Sequence, residues 1–151
     1  MSTLATIPAL PPTEAGIVEK LTAAQEKVRS QEQAPVHTEH VIHGGMYART
    51  ITMPPGGWVL GALVKVPTLV ITVGHAKVLI GESWAEVKGY QVLPASAGRK
   101  QLFYALEPFI VTMIFPTMAN TVEDAEREFT DEHELLLSRA QDLNAVTITG
   151  E

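Results

Sequence analysis

Histidine and carboxylate side chains offer this chain its broadest chemistry, and they concentrate in one place. His37, His40 and His43 stand at three-residue intervals with Glu39 among them, and imidazole with carboxylate is a ligand set for a transition metal. A metal bound there would serve an isomerase or an oxygenase. The surrounding residues read as a β-strand, in which successive side chains point to opposite faces. His37 and His43 then share one face while His40 points to the other, so the three meet on one ion only across a bulge. The cluster reads as polar strand residues beside a turn or an interface, with a His37, His40 and His43 metal site as the alternative. His75, in a Gly-His turn, and His133, on an acidic helix, read as solvent-exposed.

Nucleophile and acid-base chemistry is thin elsewhere. No cysteine is present, which removes disulfides, thiolate zinc sites and Cys nucleophiles and agrees with a reducing compartment. Ser83 and Ser96 lie in no Gly-x-Ser-x-Gly context, and no glycine-rich phosphate loop occurs. Glu82 and Glu86 share a strand face near a turn, where solvation is the plain reading. Trp58 and Trp84 read as core or interface aromatics. No catalytic residue and no cofactor is assigned, and the chain reads as a binding or interaction protein rather than an enzyme.

Composition narrows the partners. A net charge of −6 and a pI near 5.3 argue against nucleic acid, which needs clustered Lys and Arg. Gly61, Lys65, Pro67 and Gly74 interrupt the most apolar stretch, so no run approaches the ~20 residues of a membrane helix. Residues 1–12 lack a basic start and contain Pro8, Pro11 and Pro12, unlike a secretory signal, which makes a cytoplasmic location the expectation. Yet 46% of residues are apolar and mean hydropathy is +0.12, which suggests that another subunit covers part of the surface in a homo-oligomer.

The 151 residues suit one domain with a real core. A Pro-rich arm and a helix occupy residues 1–35. Thr13 is a plausible N-cap for a helix over 14–30, whose apolar seam is Ile17, Leu21, Ala24 and Val28. Residues 36–117 are short β-rich runs punctuated by Gly and Pro, with strands near 37–43, 46–53, 58–65, 68–73, 76–80, 83–88, 90–93, 101–106 and 109–115. Strands this short favour a closed or double-sheet antiparallel arrangement. Residues 118–151 turn helical again, capped by Asn120 or Thr121. Val122, Ala125, Phe129, Leu136, Ala140 and Leu143 form an apolar stripe, and Glu126, Glu128, Asp131, Glu132 and Glu134 form an acidic face read as solvated. Residues 146–149 alternate like a short strand, a loose tail or an arm added to a neighbouring sheet.

The β region resembles the cupin superfamily. Taking Gly74 as the closing glycine of the first cupin motif places Gly61-Ala62-Leu63 where His-x-His stands and Pro67 where the acid stands, with Gly56 one residue from the opening glycine. The second motif is matched by Gly89, Pro94, Gly98, Gln101 and Ala105, with Gln101 in place of the metal-binding histidine. Gly-Met-Tyr-Ala-Arg at 45–49, Pro-Pro-Gly at 54–56, Tyr-Ala-Leu-Glu at 104–107 and Phe-Pro-Thr at 115–117 look like small cupin-like proteins of tailed bacteriophages. Those relatives often carry His near the first motif and Arg near the second, where this chain has Leu63 and Gln101.

The resemblance implies a mainly β, cupin-like jelly roll with an N-terminal amphipathic helix and a C-terminal helix, without the usual metal ligands. Cupin-like geometry would turn Leu63, Lys65, Gln101 and Phe103 towards the barrel interior, with Tyr47 and Arg49 as further lining. Arg49, Lys65 and Gln101 are donors for an anionic or nucleotide-like ligand, with Phe103 or Tyr47 as a stacking wall. The plainer reading makes Leu63 and Phe103 core and pairs Arg49 and Lys65 with carboxylates at the barrel mouth. The leading function is a non-catalytic phage-type protein that oligomerises and contacts a larger assembly, in the host cytoplasm or the virion. A barrel that sequesters a small anion is the alternative, and a metal-dependent isomerase or oxygenase the third.

Overall fold

Strand pairing assigns the fold. The computed structural model describes residues 6–151, and its core strands are β2 (Met46–Met53), β3 (Trp58–Leu60), β4 (Thr68–Val73), β5 (His75–Ile80), β6 (Ser83–Lys88), β7 (Gln91–Ala95), β8 (Leu102–Ala105) and β9 (Phe109–Pro116). They pair β2 with β9, β3 with β8, β4 with β7 and β5 with β6, all antiparallel. These pairs nest, as in one long hairpin rolled up, which is the jelly-roll arrangement. Adding β1 (His37–His43) and β10 (Asn144–Ile148) gives a six-stranded sheet ordered β10-β1-β2-β9-β4-β7 against a four-stranded sheet ordered β3-β8-β5-β6. Among the described residues, no helix is long and apolar enough to cross a membrane.

One residue turns the chain from one sheet to the other. β4 ends at Val73 in the first sheet and β5 begins at His75 in the second, leaving Gly74 as the corner at φ +114°. The β8–β9 connection crosses at the same place, and a Cβ on Gly74 would lie 2.2 Å from the Pro108 carbonyl oxygen. Only glycine satisfies both the backbone angle and the space.

The seam between the sheets is closed by the N-terminal arm. Leu10 is buried, donates its N–H to the Pro94 oxygen and accepts from the Ser96 N–H, while Thr6 bridges to Glu86. The arm thus runs between β6 and β7, the edge strands of the two sheets. Residues 1–5 of the expected arm lie outside the described residues. Helix α1 (Ala15–Val28) follows, and of its expected apolar seam only Ile17 and Leu21 are buried, since Ala24 and Val28 are exposed. Thr13 does not cap α1. Its hydroxyl donates to the Lys100 oxygen and accepts from the Lys100 N–H, and Glu14 stands at the N-cap position.

Two other expectations are corrected. The strand expected over 58–65 stops at Leu60, because the Leu63 and Lys65 N–H groups donate to the Glu132 carboxylate and the Phe129 oxygen instead of a neighbouring strand. The C-terminal stripe is no single helix. α2 (Val122–Phe129), capped by Thr121, ends at an extended Thr130, and α3 (Leu137–Ala140) follows a short 3-10 turn. The run over 146–149 joins the chain's own sheet, as β10 lying parallel to β1.

Gly74→Ala is expected to lower unfolding stability by about 2–5 kcal/mol, from left-handed strain plus overpacking at the corner. Urea denaturation followed by far-UV circular dichroism measures it.

Candidate functional site

The inner rows of the six-stranded sheet pair Tyr47 with Phe115, Arg49 with Met113 and Val70, and Ile51 with Val111 and Thr72. Most of these side chains are apolar. Arg49 is not, and a guanidinium inside a fold needs a counter-charge. It finds one on α2, donating to Glu126 Oε2 at 2.9 Å and to Ser138 Oγ at 2.8 Å, with its guanidinium carbon 5.5 Å from the centre of the Phe129 ring. Arg139 Nε donates to the other Glu126 oxygen at 2.8 Å, and the Glu126 side chain is only 2% exposed. The acidic face expected to be solvated therefore loses Glu126 to the interior. Helical spacing explains this: Val122, Ala125, Glu126 and Phe129 fall on one stripe, so burying Ala125 and Phe129 buries Glu126 as well. Removing one member of such a buried pair costs about 3–5 kcal/mol.

From Arg49 the polar chain runs to the sheet edge. Tyr47, fully buried, accepts from Arg49 Nη1 at 3.3 Å and bonds His40 Nδ1 at 2.6 Å, and His40 Nε2 bonds Asn144 Oδ1 at 2.7 Å. Asn144 Nδ2 donates to the Ser138 and Gln141 oxygens, which fixes its Oδ1 as an acceptor. His40 must then donate from Nε2 and accept from the Tyr47 hydroxyl at Nδ1, the neutral ring. Burial first, and then the Arg49 charge, push His40 below its ordinary pKa against the opposing Asn144 bond, while burial raises the Tyr47 hydroxyl.

A second buried ion pair closes the barrel mouth. Lys100, with a side chain fully shielded from solvent, donates to both Glu132 oxygens at 3.0 and 3.2 Å and to Gln25 Oε1 at 2.9 Å. Glu132 also accepts the Leu63 N–H at 2.6 Å. One lysine thus joins α1, the loop before β8 and the C-terminal segment.

The six expected lining residues do not form one constellation. Tyr47 and Arg49 come together inside. Phe103 is buried against Phe109, with ring centres 5.8 Å apart. Gln101 lies on the inner side by alternation with Phe103, and its Nε2 is buried without a hydrogen-bond partner. Leu63 is half-buried, and Lys65 turns outward to an exposed Asp131 at 2.7 Å, where its ammonium holds that carboxyl below the usual range. The histidines alternate: His37 and His43 are exposed while His40 is buried on the other face, so the three do not converge. Among the described residues, no group of three or more His, Asp or Glu side chains could hold a metal ion. His75 and Glu86, expected in solvent, instead bond each other, with Glu86 buried. Arg99 was not anticipated at all. It is buried, donating to the Ser96 oxygen, Thr68 Oγ1 and Met113 Sδ, and forms no ion pair with any described residue. Burial lowers its pKa to about 10, so it stays charged at neutral pH.

The outer face of the same sheet carries a different chemistry. Its rows run Ala48–Ile114–Leu69–Pro94, Thr50–Thr112–Ile71–Val92 and Thr52–Ile110–Val73. No outward position of β2, β9, β4 or β7 is charged. Leu69 is 50% exposed, Val92 49% and Val73 43%. An antiparallel sheet with one wet face ordinarily alternates apolar and polar residues, whereas near-continuous apolar strands are covered on both faces. The outer face of the four-stranded sheet is mixed: an exposed Trp58 packs on Tyr104 and Trp84, beside Lys77 over the Tyr104 ring. Trp58 is therefore not core.

No protein-family model and no curated protein matches this chain. Several solved structures are similar to it in fold. A cupin superfamily protein of Desulfitobacterium hafniense is 14% identical, with a TM-score of 0.47 over 77% of this chain and 99% of that one. A cupin 2 conserved barrel domain protein of Salinispora arenicola is 12% identical, with a TM-score of 0.46 over 65% and 98%. An oxalate oxidase in complex with the substrate analogue glycolate is 9% identical, with a TM-score of 0.44 over 58% and 57%. These likenesses concern fold alone, and the nested strand pairing is what assigns the jelly roll.

Because His40 is held neutral below its ordinary pKa of 6.5, the unfolded chain takes up its proton first. Its stabilising share is complete above pH 6.5 and is lost as the pH falls below that value. Urea midpoints of the wild type should drop as the pH falls below 6.5, and those of His40→Gln should drop less steeply over the same range.

Proposed function

We propose that this chain is a non-catalytic jelly-roll protein that works by self-association and protein contact, in the manner of a phage assembly component. The observation that supports this best is the charge-free aliphatic outer face of β2, β9, β4 and β7. Four strands about 4.8 Å apart, with about five residues each at ~3.4 Å, make a footprint on the order of 300 Å². A contiguous apolar patch of that size is ordinarily functional. A second copy fits it because the chain carries −6 overall while these four strands carry no outward charge, and Glu39 of β1 stands at the rim of the patch, opposite Thr50. Its central polar groups, the Thr50 and Thr112 hydroxyls, already bond each other at 2.8 Å and can be buried at small cost. Closure of the barrel mouth by Glu132 and Phe129 agrees with a protein that works through its surface. The resemblance of residues 45–49, 54–56, 104–107 and 115–117 to small cupin-like phage proteins is what brings a phage setting into this reading.

Leu69→Glu is expected to lower the assembly mass in sedimentation velocity at micromolar concentration, with an unchanged far-UV spectrum. A wild type that sediments as a monomer would remove the proposal.

A second reading rests on Arg99, a buried cation with no carboxylate partner among the described residues, and on Gln101 Nε2, which has no hydrogen-bond partner among them. Both support a barrel that takes a small anion, since an uncompensated buried charge is costly unless something pairs with it. Thermal-shift measurements with inorganic phosphate, nucleoside monophosphates and small carboxylates would then raise the wild-type melting temperature and leave Arg99→Met unmoved. No shift with any of them would end this reading.

A further inference from the structure

The free edge of β10 is built to receive another strand. β10 is the last strand of its sheet and pairs on one side only, with β1. Leu143 accepts from the Thr38 N–H and Thr149 donates to the Ile42 oxygen. Backbone groups alternate along a strand, so the odd-numbered residues face β1, and the N–H and C=O groups of Asn144, Val146 and Ile148 face outward. All five residues of β10 are exposed. None of the usual protections of an edge is present, because the strand holds no Pro, no Lys and no other charge.

The side chains make the same point independently. Asn144, Val146 and Ile148 lie opposite Thr38, His40 and Ile42, which are buried on the inner side of the sheet. Val146 and Ile148 therefore point to the core side, yet they are 53% and 46% exposed. They line a cleft of about 300 Å³ whose far wall includes Thr121 and Val122 of α2. Core-side apolar residues stay uncovered at a sheet edge when the next strand is missing.

We propose that a second copy supplies that strand, its own β10 adding antiparallel about a two-fold axis through Val146. The register is self-consistent. Residue 146 faces 146, and 144 faces 148, so every outward-facing residue meets an outward-facing residue, and each facing pair exchanges two hydrogen bonds. The strand itself is uncharged; of the charged groups lining the cleft, Glu126 and Arg139 already pair with each other, and Glu123 is the exposed carboxylate beside it. The partner's Val146 enters the cleft beside Val146 and Val122. The two sheets become one continuous sheet, with β1 and β10 of each copy between their aliphatic outer faces. This contact rests on self-association, as the proposed function does, but on a separate surface.

The test uses the full chain. Val146→Pro removes an outward N–H that bonds nothing within the copy, and Val146→Lys places a charge on the edge. Both are compared with Leu69→Glu by sedimentation velocity, with circular dichroism as a fold control. With both contacts present, the wild type exceeds a dimer and each single variant falls to a dimer. If Val146→Pro and Val146→Lys become monomers while Leu69→Glu stays dimeric, the edge contact holds and the face contact fails. If the edge variants keep the wild-type mass, or the wild type is a monomer, the edge contact is overturned. Hydrogen exchange gives a second readout: the Val146 and Ile148 amides exchange at least about 100-fold more slowly in the wild-type assembly than in Val146→Lys. Equal rates overturn it.

Discussion

A carboxylate buried between two guanidiniums fastens the two ends of this fold together. Glu126 on α2 is held by Arg49 from the inner side of the barrel sheet and by Arg139 from α3. Loss of Glu126 would leave Arg49 buried without its counter-charge, and loss of Arg49 would leave Glu126 with Arg139 alone. The C-terminal segment is thereby pinned across the barrel, and the placement of its neighbours follows. Phe129 packs against Phe115, Glu132 reaches Lys100, and Asn144 is positioned for His40. The end of the barrel where a jelly roll commonly opens is thus occupied by the chain's own residues. Closure there is ionic and specific, and it sits beside a core that is otherwise aliphatic and aromatic.

The distribution of polar groups then gives the molecule its character. Charges are spent on internal fastening, with Lys100, Glu132, Arg49 and Glu126 all turned to partners within the fold. The outward positions of β2, β9, β4 and β7 have none, and the nearest charge on that face is Glu39 of β1, opposite Thr50. Burial of apolar strand surface is favourable, and the proposed self-association rests on that term. The edge beside it shows the same incompleteness in its backbone: β10 closes one side of β1 and leaves its own outer side open.

Much of the architecture was legible in the sequence. Eight of the nine anticipated strands lie within a residue or two of their observed positions, because Gly and Pro punctuate them and β-branched residues fill them. The exception is instructive. The run over 58–65 has strand composition, but its backbone donors are claimed by Glu132 and Phe129, about 65 residues further along the chain. The same pull from a distance breaks the C-terminal helix at Thr130. Glu126 was within reach of a closer reading, since it falls on the stripe of Val122, Ala125 and Phe129, and a carboxylate on an apolar stripe needs a buried partner.

What the sequence determined by itself is the local grammar: turns where glycine alone fits, strands by alternation, and the opposed faces of His37 and His40. Gly74 is the plainest case, since its corner is required by one residue's backbone angle and the space around it. Only the tertiary structure decided which charges pair. Arg49 with Glu126, Lys100 with Glu132 and His40 with Asn144 join residues dozens of positions apart, and no spacing rule along the chain relates them. Such pairs form because rolling the hairpin brings distant strands and helices within hydrogen-bond reach, where desolvation makes each buried polar group depend on partners supplied by other elements.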